Sequence, residues 1–174
     1  MRLRAAGTAD AHAIADIHVA AWRIAYRGLI PDDVIDSISV EQRRGFWKGV
    51  LSTPGGWKID LAEDDDGPVA FCSYGPTRDK DTDGAAEIYA LYVHPTKWRR
   101  RVGRTLCEQA LREAGLRGYG AMTLWVVKGN DAACRFYERL GFAPDGGERK
   151  NTRLLPTPFD EVRYRRLIIG DSHH

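Results

Sequence analysis

Apolar residues recur at two spacings along this chain. Strand-like alternation marks "MRLRAA", the last run "DEVRYRRLII", and "GGWKIDLAEDDDGPVAFCSYGP", whose two short strands flank the acidic turn "EDDDGP" as in an antiparallel hairpin. "AAEIYALYVHP" and "AMTLWVV" are denser, β-branched and aromatic, and read as buried strands, the first stopped by Pro95. Helical spacing joins Ile14, Ile17, Ala21 and Ile24 behind a candidate N-cap at Thr8, and Leu106, Ala110, Leu111 and Ala114 in a helix ending at Gly115 or Gly118. "RGLIPDDVIDSIS" predicts a turn and a short helix, Ser39 a cap for a helix over "VEQRRGFWKGVL", and Asp131 a cap for "DAACRFYERLGF", closed by Gly141. "TRDKDTDG" reads as a charged, solvated loop and "KGN" as a turn. The order of elements predicts an α+β chain with a mixed sheet.

Composition narrows the picture. At 174 residues and 43% hydrophobic content, one sizeable core is expected, hence one domain over 1–174. The net charge of +2 lacks the excess that non-specific binding to a phosphate backbone requires, so no nucleic-acid partner is expected and any basic patch is local. No apolar run approaches a membrane span and "MRLRAAGTAD" lacks the apolar core of a signal peptide; a soluble, cytoplasmic protein without a membrane partner is expected. Cys72, Cys107 and Cys134 are odd in number, far apart and without metal-ligand spacing, which suits free thiols and predicts no disulfide and no metal site. His173 and His174 read as a tag remnant without a role.

"WRRRVGRTL", residues 98–106, runs from the end of a strand into the start of a helix. The first N–H groups of a helix have no internal partner and carry the positive end of its dipole, so they take anions. Glycine allows close approach to the backbone, and arginines add fork-shaped donors matched to pyrophosphate. The Gly-Lys-Ser/Thr ending of a nucleoside-triphosphate loop and the three-glycine dinucleotide fingerprint are both missing. A solvated basic helix start is the plain alternative, and a nucleic-acid contact through Trp98 and its arginines a third.

With "AEIYALYVHPTKWRRRVGRTLCEQAL" followed by "LWVVKGNDAACRFYERLGF", the chain resembles the GCN5-related N-acetyltransferase (GNAT) family over roughly residues 84–143, and "ADAHAIADIHVAAWRIAYRGLIP" is similar to the first helices of small bacterial members. The resemblance implies an acyl-CoA N-acyltransferase-like fold: a mixed, mostly antiparallel central sheet, helices on both faces and a splayed parallel strand pair. It implies acetyl-coenzyme A as cosubstrate, an acetyl group moved onto a primary amine of a small molecule or peptide by direct attack in a ternary complex, and a possible homodimer. Carried over, it lays the pantetheine arm along the backbone of Leu91, Tyr92 and Val93 and the pyrophosphate against Arg99, Arg100, Arg101, Val102, Gly103, Arg104 and Thr105, with Asn130 also on the cofactor. It implies a β-bulge in the strand ending near Val93. Where the family usually has two glycines two residues apart, this chain has Arg101 and Gly103.

Acetyl transfer to an amine needs a deprotonated nucleophile and a proton for the departing thiolate. The resemblance makes Tyr137 the candidate acid and Glu87 the candidate base, against readings of an aromatic core residue and an exposed strand carboxylate. His94, beside Pro95, fits a loop role better, and Phe136 fits the core. In the subfamily that acetylates ribosomal-protein N-termini a glutamate serves as base five residues before the equivalent of Asn130; here that position is Trp125, which disfavours that subfamily. Trp22, Tyr26 and Trp47 either line an acceptor pocket or belong to the core. A coenzyme A-binding regulatory module with little catalysis is the competing function. "DEVRYRRLII" could pair at a dimer edge or close the chain's own sheet.

Overall fold

The structure, a computed structural model, describes residues 1–169; His173 and His174 lie outside them. Seven strands form one sheet: β1 (Arg2–Ala5), β2 (Lys58–Asp64), β3 (Gly67–Pro76), β4 (Ala86–Val93), β5 (Ala121–Val127), β6 (Ala143–Asn151) and β7 (Phe159–Leu167). Their spatial order is β1-β2-β3-β4-β5-β7-β6. Every pairing is antiparallel except β4 with β5, which is parallel. Five helices complete the fold: α1 (Ala11–Ala25), α2 (Asp32–Asp36), α3 (Val40–Ser52), α4 (Val102–Leu116) and α5 (Asp131–Arg139).

Side-chain alternation along the strands sorts the core between the two faces. On one face Ile14, Ala15 and Ile17 of α1 and Trp47 of α3 pack on Ile59, Leu61 and Phe71. On the other, Val102, Leu106, Cys107 and Ala110 of α4 lie on Cys72, Tyr74, Ile88 and Met122, with Ala133, Phe136 and Tyr137 of α5 packed against them. The expected α+β layering, with helices on both faces, is what the chain adopts.

Several local expectations are corrected. Thr8 does not cap the first helix: a 3-10 turn over Thr8–Asp10 precedes α1, and the Asp10 carboxylate accepts from Gly7 N at 2.8 Å while Arg4 grips it from outside. Ile24 is 54% exposed, because the buried face of the last turns runs through Val19, Trp22 and Tyr26 instead. Asn130, not Asp131, caps α5, its side chain accepting from Ala133 N at 3.2 Å. Ser39 caps α3 as expected, and of the two candidate stops it is Gly118, left-handed at φ 90°, that follows the end of α4 at Leu116 and its C-cap Arg117. The sequence pattern passed over β6, whose "APDGGERKN" has no apolar alternation and breaks register between Pro144 and Glu148. β6 flanks β7, so "DEVRYRRLII" closes the chain's own sheet and is not a dimer edge.

Candidate functional site

The site begins where β4 leaves β5. The two strands pair only through Ala86, Glu87 and Ile88, opposite Met122, Thr123 and Leu124. Immediately beyond, β4 carries a bulge: Tyr74 pairs with Ile88 and Ser73 with Ala90, leaving Tyr89 as the extra residue. The bulge expected in the strand ending near Val93 is therefore found, at Tyr89. Tyr89 is fixed there by its hydroxyl donating to the Pro76 carbonyl and by Arg78 4.4 Å over its ring. Gly75, opposite Glu87, leaves room for this phenol, since a Cβ there would meet the Tyr89 hydroxyl at 2.7 Å and Trp57 Cα at 2.8 Å. An extra residue reverses strand parity. Leu91 and Val93 thus join Ala86 and Ile88 on the α4 side, while Ala90 and Tyr92 face α1 and α3. The backbone from Tyr89 to Val93 runs on without a ladder partner on β5.

At the open end of this gap lies the arginine loop. Arg99 and Arg101 both adopt the left-handed conformation, φ 64° and 61°, so Arg101 holds the backbone shape that glycine would otherwise supply. A left-handed residue leading into a right-handed helix turns successive N–H groups inward, a concavity suited to anions. Arg99, Arg100 and Arg101 are exposed, and none forms an ion pair among the described residues, whereas Arg104 is bound by Glu108 at 2.8 Å. Thr105 donates its hydroxyl to the Arg101 carbonyl at 2.9 Å. Trp98 Nε1 ties the loop to the strand end by donating to Val93 O at 2.7 Å. Gly103 also eases packing: a Cβ there would lie 3.4 Å from both Phe136 and Val93, where α4 meets α5 and β4.

Three phenols meet across the gap. Tyr26 and Tyr92 approach from the α1 side with their hydroxyls 3.5 Å apart. Tyr137 comes from α5 on the other face, edge-on to Phe136 and Phe142. Burial pushes the Tyr137 phenol well above its ordinary value, with further upward pressure from Cys107, Cys72 and Tyr92. Burial, then Tyr92, does the same to Tyr26. Tyr137 therefore keeps its proton at neutral pH and can donate it. Asn130 spends its side-chain oxygen on the α5 cap, leaving its amide N–H groups.

Glu87 is not the exposed carboxylate considered from sequence: it is 1% exposed and fully engaged by Arg78. One oxygen accepts from Arg78 N at 2.9 Å, the other from Arg78 Nη2 at 2.6 Å and Nε at 3.2 Å. Trp125 donates Nε1 to Asp79 at 2.9 Å beneath the Arg149 guanidinium, 4.2 Å over its ring. The loop read as solvated is thereby pinned down, since Asp79 and Asp81 also bind Arg163 and Thr82 is buried. His94 sits in the loop, its Nδ1 2.8 Å from the Thr96 hydroxyl.

Trp22 and Tyr26 are core residues beside a cleft that they do not themselves line. They are 3% and 8% exposed, packed with Val127, Leu155 and Phe159, and Ile30, Val127 and Phe159 of the same cluster line a cleft of about 290 Å³. Trp47 is purely core, donating Nε1 to Nδ1 of the buried His18 at 3.2 Å. Sequence reasoning missed Arg43, His18, Arg78 and Glu161, which border this region. Their contacts join positions dozens of residues apart, and "EQRRGF" carries no local sign that one of its arginines turns inward.

Among the described residues there is no cluster of side chains suited to a metal and no helix long and apolar enough to cross a membrane. The profile of the acetyltransferase (GNAT) family matches residues 12–142. The chain is 29% identical over 161 residues to the uncharacterized N-acetyltransferase YuaI of Bacillus subtilis, covering 92% of this chain and 89% of the relative. It is 26% identical over 142 residues to the L-amino acid N-acyltransferase MnaT of Escherichia coli, covering 82% and 79%. The PaiA N-acetyltransferase of Thermoplasma acidophilum, solved in complex with coenzyme A, superposes with a TM-score of 0.76 at 16% identity over 95% of this chain and 98% of that one.

Proposed function

The chain belongs to the acetyltransferase (GNAT) family, N-acetyltransferases that draw on acetyl-coenzyme A, and from that premise we propose that it acetylates a primary amine of a small molecule or peptide by direct attack in a ternary complex. The observation that carries the proposal is the early parting of β4 from β5, with an unpaired basic loop at its open end and a protonated phenol beneath it.

The residues present fit the cosubstrate. Backbone groups of Leu91, Tyr92 and Val93, freed from β5, suit the amides of a pantetheine arm. Arg99, Arg100 and Arg101, together with the first N–H groups of α4 from Val102 through Thr105, suit a pyrophosphate. The Asn130 amide N–H groups remain available to the same ligand. Acetyl-coenzyme A supplies the thioester acetyl group: one C–N bond forms, one C–S bond breaks, the amine gives up a proton and the sulfur gains one. Tyr137 delivers the proton to sulfur. Glu87 lies on the acceptor side of β4 but reaches the amine proton only if Arg78 moves aside, so its role is as a base acting through water or as an anchor for Arg78. The name of the Escherichia coli relative favours a small-molecule acceptor over a peptide.

Calorimetric titration with acetyl-coenzyme A, paired with thiol release over an amine panel, tests this reading. Saturable one-to-one binding is expected, weakened by Arg100→Ala. Tyr137→Phe should keep that binding and lose on the order of 100-fold in kcat. Binding without turnover of any amine would leave the regulatory module as the function; no binding would overturn both.

A further inference from the structure

The acceptor side holds polar groups that the transfer chemistry leaves unmatched. Arg43 of α3 is half-buried, donates Nη2 to the Leu154 carbonyl at 2.6 Å and lies 5.8 Å over the Phe46 ring. It has no carboxylate partner among the described residues, while its neighbour Arg44 takes both Asp16 and Glu41. A guanidinium withdrawn from water without a counter-charge is costly unless something else supplies one. Burial indeed lowers its pKa, and its charge is felt by Tyr92 and His18.

Trp22 Nε1 is the one fully buried side-chain polar atom among the described residues that has no hydrogen bond of good geometry, although it lies close enough to the Tyr92 hydroxyl to offset part of the rise that burial gives that phenol's pKa. Its ring stands within 4.7 Å of Tyr26 and 6.5 Å of Tyr92, centroid to centroid. A buried indole N–H left poorly bonded destabilises the free protein, and a ligand acceptor would recover that cost.

Glu161 of β7 sits opposite Val127 and is 7% exposed. Its Oε1 accepts from Arg149 Nε at 2.9 Å and Asn151 Nδ2 at 3.0 Å, while Oε2 takes no hydrogen bond among the described residues. Glu161 lines a second cleft of about 290 Å³, which shares Lys128 and Asp160 with the first. Its charge reaches Tyr26 and Tyr92. One cluster links the two charges: Leu154, whose carbonyl holds Arg43, packs with Trp22, Tyr92 and Val127, and Val127 lies opposite Glu161.

We propose that the acceptor is an amino-acid-like zwitterion, its carboxylate taken by Arg43 and the Trp22 indole N–H and its ammonium held by Glu161. The inference rests on the acetyltransferase reading and adds to it the residues that set specificity. The transfer still requires the ammonium to lose its proton, and the free Oε2 of Glu161 is placed to receive it.

The test is thiol release with the common L-amino acids, their amides and the corresponding decarboxylated amines, with acetyl-coenzyme A binding measured on each protein by calorimetry. At least one free amino acid should exceed its amide and its decarboxylated amine about 10-fold in kcat/KM. Arg43→Ala should raise KM for the acid at least as much with little change in kcat, Arg43→Lys should restore part of the loss, and acetyl-coenzyme A affinity should report that both variants are folded. Glu161→Gln should lower kcat for the amino acid. Amides or plain amines that serve as well as the acids would overturn the proposal and leave the acetyltransferase reading standing. So would an equal effect of Arg43→Ala on all three substrate classes, or acetyl-coenzyme A binding with no amino acid turned over. Failure of the wild-type protein to bind acetyl-coenzyme A would overturn the reading beneath the proposal as well.

Discussion

His18 is enclosed by Trp22, Trp47, Phe71 and Tyr92, stacked on the last at 4.7 Å, and its Nδ1 accepts from Trp47. Burial, then the charge of Arg43, lowers its pKa to about 3. The unfolded chain binds a proton near pH 6.5 and the folded chain does not, so the stability tied to neutral His18 is whole above 6.5 and drains away as pH falls toward 3. Urea unfolding at pH 7 and pH 5 should show wild type losing about 2 kcal/mol more than His18→Gln across that interval. Arg101 makes a second residue-level prediction. At φ 61° it bears the left-handed penalty of a side chain, so Arg101→Gly should raise stability by about 1 kcal/mol and Tm by roughly 2–4 °C. A fall in Tm would show that the loop draws its shape from the arginine side chain itself.

Among the elements, the segment from Thr77 to Gly84 depends on partners far along the chain. Arg163 joins Asp79, Asp81 and Asp145 while itself nearly buried, and Trp125 adds a hydrogen bond to Asp79. Arg163→Ala strands three carboxylates together and should lower the unfolding free energy by about 3 kcal/mol, read from the urea midpoint, with amide exchange quickening first in this segment. No pattern in "TRDKDTDG" could announce this, because solvated and tethered aspartates look alike until their cation is placed. The dense strands β4 and β5 and helices α1 and α4 were legible because apolar spacing records which face is buried, and α3 and α5 because caps and a glycine stop mark their ends. β6 was not, being an outer strand exposed on most of its length and broken by Gly146 and Gly147. The bulge was foreseeable in kind but not in position, since its place depends on how Tyr89 fits over Gly75 from the neighbouring strand.

In the molecule as a whole, the arrangement of layers and the basic start of α4 proposed to hold a pyrophosphate were legible in local pattern, whereas most of the proposed acceptor site was not. Arg43, Trp22, Tyr92 and Glu161 come from α3, α1, β4 and β7, and only the finished fold gathers them. The three-pair seam between β4 and β5 also has a mechanical meaning. It divides the sheet into a four-strand leaf, β1 to β4, and a three-strand leaf of β5, β7 and β6. Beyond the bulge no ladder hydrogen bond joins the leaves. They are coupled by packing across α4, α5 and the aromatic cluster and by a few side-chain ties such as Arg43 to Leu154 and Arg163 to Asp79 and Asp81, so the free protein should unfold with one leaf loosening ahead of the other. A ligand laid along Leu91–Val93 would act as a surrogate strand. Calorimetric melting in its presence should be not only hotter but narrower, the two leaves then giving way together.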